Sequence, residues 1–265
     1  MEIIGYIASI FIGISLGLIG GGGSILTVPV LVYLFGIGAE MSTAYSLFIV
    51  GSTALVGGIR NASLGNVNYK TAVVFTIPAF IAVYATRAYL VPAIPNEIMT
   101  IGTYVLTKDI AIMVFFALVM LAASVSMIRN KRKEDEEDEN AVPKFNVPAI
   151  ILEGAVVGIL TGIVGAGGGF LIIPALVLFA KLPMKKAVGT SLLIIAAKSL
   201  IGFIGDVQRY GDQLDWKLLL TVTAIAVFGI FIGIYLNKFI DGKKLKKGFG
   251  WFVLLMAVYI IGKQL

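Results

Sequence analysis

Residues 20–29 are Gly-Gly-Gly-Gly-Ser-Ile-Leu-Thr-Val-Pro, and residues 165–174 are Gly-Ala-Gly-Gly-Gly-Phe-Leu-Ile-Ile-Pro. Both stretches belong to a longer repeat, because residues 17–57 align with residues 162–202 without a gap and 13 of the 41 positions are identical. Apolar residues would often match by composition alone, but glycines, a proline and a serine would not fall in register. We interpret the chain as an internal duplication in which each glycine cluster interrupts two apolar segments.

The composition is typical of a membrane protein. Apolar residues make up 58% of the 265 residues before the 31 glycines are counted. Charged residues are only 14%, against about 25% in soluble domains. A single soluble domain has no core large enough to bury so much apolar surface. The chain has no Cys and no His, which excludes thiolate catalysis, disulfides and Cys/His zinc sites. We therefore expect no cofactor, metal or catalytic group.

Ten apolar segments divide between the two halves. Several have 17–21 residues, enough to cross a bilayer as helices, and none alternates as a membrane barrel strand does. The segments at 24–36 and 170–180 are too short to cross comfortably. The predicted fold is all-α and integral to the membrane, with two repeats, each a broken-helix hairpin followed by three transmembrane helices. The other eight segments are 3–19, 43–59, 71–91, 110–128, 147–164, 187–205, 218–236 and 249–262.

A charged linker separates the halves. Residues 131–139 are nine consecutive charged residues, three basic and then six acidic, a pattern typical of a solvated connection rather than a docking tail. We therefore predict a first membrane repeat at 1–128, a cytoplasmic linker at 129–146 and a second membrane repeat at 147–265.

The basic residues predict the topology. If each short pair of segments returns to its starting side, the second repeat is inverted relative to the first. With the linker inside the cell, 15 Lys and Arg then lie inside and 4 outside, whereas parallel halves would give 10 and 9. Because positive charge concentrates on the cytoplasmic side, the inverted arrangement is favoured, with both termini outside.

The glycine clusters are the first candidate binding site. Unwound backbone within a membrane must be covered by protein or line a watery cavity, and the helix after each break exposes N–H groups and the positive end of its dipole. Two such ends meeting at the midplane would bind an anion. The alternative is close helix packing, for which small residues are also used. The candidate residues from the clusters are Gly21, Gly22, Gly23, Ser24, Gly167, Gly168 and Gly169.

Three further features lie on the segments after the clusters. Tyr45-Ser46 and Thr190-Ser191 offer hydroxyls to an anion, or alternatively satisfy interhelical hydrogen bonds. Lys198 lies in the middle of its segment and has Thr53 as its repeat partner. Such a lysine would draw an anion into a pathway, or would extend to the outer surface, where Asp206 lies. Arg87 is interpreted as an interfacial anchor.

These motifs resemble the TauE/SafE family of sulfite exporters. The resemblance is carried by residues 165–174, by Ala-Val-Gly-Thr-Ser-Leu at 187–192 and by Asp215-Trp216, and it covers nearly the whole chain. The first half departs from it, with Ala44-Tyr45-Ser46 in place of Gly-Thr-Ser. The resemblance implies a multi-pass transporter of the cytoplasmic membrane that moves sulfite, sulfonates or related small anions.

Other classes of function remain as alternatives. An integral membrane enzyme would need a nucleophile–base pair or a metal cluster within the spans, and the sequence offers neither. A non-transporting scaffold would not need duplicated breaks at mid-membrane, and an anion-selective channel stays open within the transport class. The expected partners are a small anion and the lipid bilayer, with no nucleic acid and with a homo-oligomer left open.

The topology is testable with reporter fusions. A reporter that is active only in the cytoplasm should be active when it is inserted within residues 134–139 and inactive when it is fused after Leu265. The reason is the concentration of basic residues around the linker. Activity at Leu265 together with silence in the linker would contradict the inverted arrangement.

Overall fold

The computed structural model describes the chain apart from residues 1, 22, 102–103, 130–146, 165–168, 170–171, 174–175, 177–181, 238, 240–241 and 265. Its helices confirm the predicted all-α membrane class. The helices are α1 Glu2–Ile19, α2 Ser24–Tyr33, α3 Ala39–Ser63, α4 Tyr69–Ala85, α5 Val91–Ala93, α6 Lys108–Arg129, α7 Val147–Val164, α8 Met184–Tyr210, α9 Trp216–Leu236 and α10 Gly242–Gln264.

Helix α2 folds back along α1. Gly20 has φ +79°, a left-handed conformation that glycine adopts without steric cost, and it lets the chain turn sharply after α1. Gly23 then packs on α1, because a Cβ there would overlap the carbonyl oxygen of Ile12. At the far end of α2, the ring of Phe35 lies edge-on to Tyr6 with their centroids 5.3 Å apart. The α1–α2 pair therefore returns to the side on which it begins.

The α1–α2 hairpin defines two ends of the helix bundle. We call the end that holds Phe35 and the first turn of α3 the Glu40 end, and the opposite end, where α3 turns into α4, the Asn68 end. The equivalent hairpin of the second half falls mostly outside the described residues. Of its short helix, Gly169, Ile172, Ile173 and Leu176 are described, and all four are helical.

Helices of one half pack on helices of the other. Helix α1 packs along α9 at glycines, since a Cβ on Gly13 would overlap Ala226 and one on Gly17 would overlap Ile230. The contact residue on α9 moves to a higher number as the contact residue on α1 does, so the two helices run in the same direction. Small residues let the two backbones approach closely, as is common between membrane helices.

The reciprocal pair, α4 and α7, has the same geometry. Gly154 lies against Phe75, and Gly162 lies against Thr86, so these two helices also run parallel. Helix α4 ends in a π-helical turn, Thr86–Leu90, that leads into α5. The sequence repeat therefore corresponds to an exchange of helices, in which the first helix of each half packs on the fourth helix of the other.

Helices α3 and α8 form the centre of the bundle. They cross antiparallel, with Gly51 against Leu200 and Gly58 against Leu193. In each, 72% of the most apolar stretch is buried, against 28% for α4 with α5 and 33% for α9. Helices α6 and α10, which correspond to each other in the two halves, also pack together. Within the described residues, four helices are long and apolar enough to cross a membrane, namely Ala39–Ser63, Tyr69–Ala93, Lys185–Gln213 and Trp216–Leu236.

A β-hairpin that sequence reasoning did not anticipate precedes α6. Strands β1 Glu97–Ile101 and β2 Tyr104–Thr107 pair antiparallel, with Ile101 opposite Tyr104. The N–H of Lys108 donates to the carbonyl of Asn96 at 2.9 Å and closes the base of the hairpin. The hairpin lies at the Glu40 end, because Lys108 also contacts Glu40.

The α1–α9 contact predicts a sharp effect of one added methyl group. Gly13→Ala should lower the melting temperature of the purified protein, because its Cβ would meet the backbone of α9 and overpacking costs about 1–3 kcal/mol.

The matched control is Gly248→Ala on α10, whose Cβ would meet nothing within 4 Å. This variant should melt at the wild-type temperature or slightly above it, since alanine favours helix. Equal melting temperatures for the two variants would contradict the close α1–α9 packing.

Candidate functional site

The two glycine clusters touch each other at the centre of the bundle. A Cβ on Gly21 would overlap the backbone of Gly169, and a Cβ on Gly169 would overlap the backbone of Gly21. Gly20 faces α8, where Val188 and the hydroxyl of Ser191 lie closest to it. Gly21 and Gly169, 148 residues apart in sequence, therefore lie in direct contact beside α8.

One face of α8 runs along this contact. Val188, Ser191, Ile195 and Lys198 are spaced by three, four and three residues, which places them on one side of a helix. Ile195 lies against Gly169, as Ser191 does against Gly20. We call these four residues the α8 stripe. Lys198 is thus the next residue along the stripe after the glycine contact.

Lys198 is fully buried, with 0% of its surface exposed. Its Nζ donates to Thr161 Oγ1 on α7 at 3.0 Å, and that hydroxyl donates to the Val157 carbonyl at 2.5 Å. The Asp206 carboxylate is paired with Arg87 instead. The alternative in which Lys198 extends to the outer surface near Asp206 is therefore wrong, because the lysine points into the protein.

Helix α3 carries the repeat equivalent of the α8 stripe. Thr43, Ser46, Val50 and Thr53 have the same spacing, and all four are buried. The hydroxyls of Ser46 and Thr53 have no hydrogen-bond partner among the described residues. Buried hydroxyls are nearly always hydrogen-bonded. Because these two lack a partner among the described residues, they can donate to a bound group.

The environment of Arg87 differs from the one that the sequence predicted. Arg87 is buried, with 2% of its surface exposed, and is not an interfacial anchor. Its Nε lies 2.9 and 3.0 Å from the two carboxylate oxygens of Asp206, and its Nη1 donates to Thr43 Oγ1 at 2.7 Å and to the Gly162 carbonyl at 3.3 Å. One side chain thus links α3, α7 and α8. The signal in the sequence was an arginine within one apolar segment, 71–91, and an aspartate directly after another, 187–205.

Side chains from the opposite half satisfy the helix ends before both breaks. The Arg87 guanidinium reaches the carbonyl of Gly162 near the end of α7, and the Asn237 amide donates to the carbonyl of Leu18 near the end of α1. The last carbonyls of a helix lack partners within it, and no bulk water is available in a bilayer. The exchange of helices between the halves therefore supplies these partners.

A charged network covers the Glu40 end above Arg87. The Glu40 carboxylate accepts from Lys108 Nζ at 2.9 Å and from the Tyr210 hydroxyl at 2.5 Å, and Arg209 lies 3.3 Å away. Thr43 connects this network to Arg87, because its hydroxyl donates to the Glu40 carbonyl at 2.7 Å. The first turn of α3 thus joins the surface network to the buried one.

The other residues singled out by sequence are placed as follows. Ser24 and Ser191 donate to carbonyls of Gly21 and Val188. Tyr45 accepts the N–H of Asp215 at 2.7 Å, and Thr190 accepts that of Asn68 at 2.9 Å, so these two hold loops at opposite ends of the bundle. Gly21 lies against Gly169, and Ser191 lies against the neighbouring Gly20, whereas Lys198 lies further along the same face of α8. Gly22, Gly167 and Gly168 lie outside the described residues.

The fold and this centre define a helical membrane protein with broken helices, a type common among transporters. The family model for sulfite exporter TauE/SafE matches residues 6–260. The chain belongs to this family of membrane transporters.

Relatives of similar length support this. A probable membrane transporter protein of Xylella fastidiosa (strain 9a5c) is 28% identical over 260 residues, covering 96% of this chain and 92% of the relative. The probable membrane transporter protein YunE of Bacillus subtilis (strain 168) is 24% identical over 261 residues, covering 94% and 91%. One from Methanocaldococcus jannaschii is 37% identical over 120 residues, covering 43% and 44%. No solved structure matches the chain.

The Arg87–Asp206 pair predicts a strongly coupled pair of mutations. Arg87→Met should destabilise the protein by about 3–5 kcal/mol, because it leaves a buried carboxylate without its partner. The double variant Arg87→Met with Asp206→Leu should recover most of the lost melting temperature, since neither charge then remains.

Arg209→Met is the control for removing a cation from a more exposed ion pair. Its side chain is 38% exposed, so the expected cost is under about 1 kcal/mol. If the double variant is no more stable than Arg87→Met alone, the pair does not act as a buried unit.

Proposed function

We propose that the chain is a secondary transporter that moves a small sulfur-containing anion, such as sulfite, a sulfonate or a related organic anion, across the cytoplasmic membrane. The observation that carries the proposal is Lys198, a fully buried lysine on the α8 stripe, three residues beyond the Ile195 side chain that lies against Gly169. The family's description names sulfite export, and sulfite and sulfonates are anions of the size and charge that such a centre could bind.

The charge of the buried centre favours an anion over a cation. Arg87 and Lys198 are both buried there, and Asp206 is the one buried carboxylate among the described residues of the helices around them. An anion would complete the charge balance and accept the spare hydrogen bonds of Lys198. The hydroxyls of Ser46 and Thr53, which have no partner among the described residues, would add donors from α3.

Helix directions support the inverted arrangement. Helix α1 begins at the Glu40 end, where Phe35 meets Tyr6. Helix α4 begins at the Asn68 end, and α7 runs parallel to it. The repeat-equivalent helices α1 and α7 would then enter the membrane from opposite sides, as in transporters that alternate access about a central site.

The positions of basic residues support both termini lying outside the cell. Lys108 and Arg209 contact Glu40, and Lys263 near the C-terminus lies 4.3 Å from the ring of Tyr33 at the end of α2. Together with Lys217 at the start of α9, these are the four basic residues that the described part of the chain places at the Glu40 end, outside the buried centre. The Asn68 end carries many more, including Arg60, Lys70, Lys185 and Lys186, which fits the cytoplasmic side.

Three other functions compete with transport. A channel would need a continuous pore, whereas Gly21 and Gly169 are packed against each other at the centre of the bundle. An enzyme would need reactive groups, and no group of three metal-ligating side chains occurs among the described residues. A scaffold would have no use for a buried cation next to a helix break, because that charge costs stability.

The proposal is tested by anion binding to the purified protein. A panel of sulfite, sulfate, thiosulfate, sulfoacetate and taurine should raise the melting temperature for at least one anion. Lys198→Met should weaken that anion's Kd roughly tenfold to hundredfold, because a charge-assisted hydrogen bond contributes about 1.5–3 kcal/mol.

The control is Lys217→Met, which removes an exposed lysine at the start of α9 and should leave the Kd unchanged. If Lys198→Met binds like wild type, or if none of the panel binds, the anion site at Lys198 is refuted.

A further inference from the structure

We propose that Lys198 binds a proton together with the transported anion, so that the protein is a proton–anion symporter. The inference rests on the proposed function, and it identifies the coupling ion and its site. It follows from the charges and hydrogen bonds around a single buried amine.

The hydrogen bonds of Lys198 are incomplete for a charged group. An ammonium has three N–H donors, and the described residues supply Lys198 with one acceptor, Thr161 Oγ1. That hydroxyl directs its own hydrogen to Val157, so it can only accept from the amine. Among the described residues, two N–H donors of the charged form have no acceptor, and a bound anion would fill them.

Among the described residues, no carboxylate is placed to balance the charge of Lys198. The sequence contains no Asp or Glu from 154 to 205, which includes every residue of the second glycine cluster. Asp206 is the nearest acid on α8, and Arg87 holds both of its oxygens. Glu153 precedes Thr161 on α7 by eight residues, or about 12 Å along a helix.

The other packed elements add no titratable group at the level of Lys198. On α3, residues 47–58 contain none, and on α4, residues 71–83 contain none. The π-helical turn contributes Arg87, which is already paired. The charged and titratable groups facing this part of the bundle are therefore Arg87, Asp206 and Glu153.

The missing counter-charge and the two unused donors make protonation of Lys198 depend on anion binding. Without an anion, an ammonium at this position would be buried with no counter-charge and two unmade hydrogen bonds, a costly state. A bound anion supplies both the counter-charge and the acceptors. The amine therefore holds its third proton when the anion is present and releases it when the anion leaves, and the pair crosses with one negative charge neutralised.

The test measures proton and anion movement together in proteoliposomes. The probe is thiosulfate, with sulfoacetate as a second probe, because the charge of each stays constant across neutral pH. With the membrane voltage clamped, wild-type vesicles given an inward anion gradient should acidify inside, with about one proton entering per anion.

Lys198→Arg separates coupling from anion attraction, since a guanidinium keeps its charge at all working pH values. This variant should bind or exchange the anion without moving protons, whereas Lys217→Arg should acidify the vesicles as wild type does. Because the larger side chain could disturb folding, a second measurement uses wild type alone. Calorimetry in buffers of different ionisation enthalpy should show about one proton taken up per anion bound.

The outcomes distinguish the two proposals. Anion entry without acidification in wild type overturns the coupling and leaves anion transport standing. Unchanged acidification by Lys198→Arg, or no proton uptake in calorimetry, places the coupling proton elsewhere and overturns the site. Failure of both probes, together with failure of the rest of the anion panel to bind, overturns the proposed function itself and the coupling with it.

Discussion

The backbones of Gly21 and Gly169 touch at the centre of the bundle, with no room for a side-chain atom between them. Broken helices are tolerated within a membrane only where protein covers their unpaired groups. Here Gly21 and Gly169 cover each other, and α8 packs on Gly20 through Val188 and Ser191 and on Gly169 through Ile195. The turn at Gly20, the return of α2 and the position of the α8 stripe all depend on this contact.

The exchange of helices between the halves follows from the same requirement. The first helix of each half ends at a glycine cluster, and a side chain of the other half donates to one of its last carbonyls. Asn237 supplies the donor for α1, and Arg87 supplies the donor for α7. Because glycines line the α1–α9 and α4–α7 contacts, the donors lie within reach. Packing and hydrogen bonding thus favour the same interlocked pairing.

The buried charged residues do not repeat between the two halves. Arg87 has its partner in Asp206, whereas Lys198 has a hydroxyl partner and Thr53 as its repeat equivalent. A buried ion pair carries no net charge, whereas a buried lysine without a carboxylate needs an anion beside it to hold its charge. We infer that function is concentrated in the second repeat's side of the centre.

The sequence alone determined the membrane class, the register of the repeat and most helix positions, because hydropathy and glycine spacing are local properties. It placed α7 at 147–164, as observed. It could not determine that Arg87 pairs with Asp206, 119 residues away, or that Tyr45 and Thr190 bond to loop N–H groups. The β-hairpin at 97–107 was missed as well. Which buried polar groups meet depends on how helices cross, and only the tertiary structure decides that.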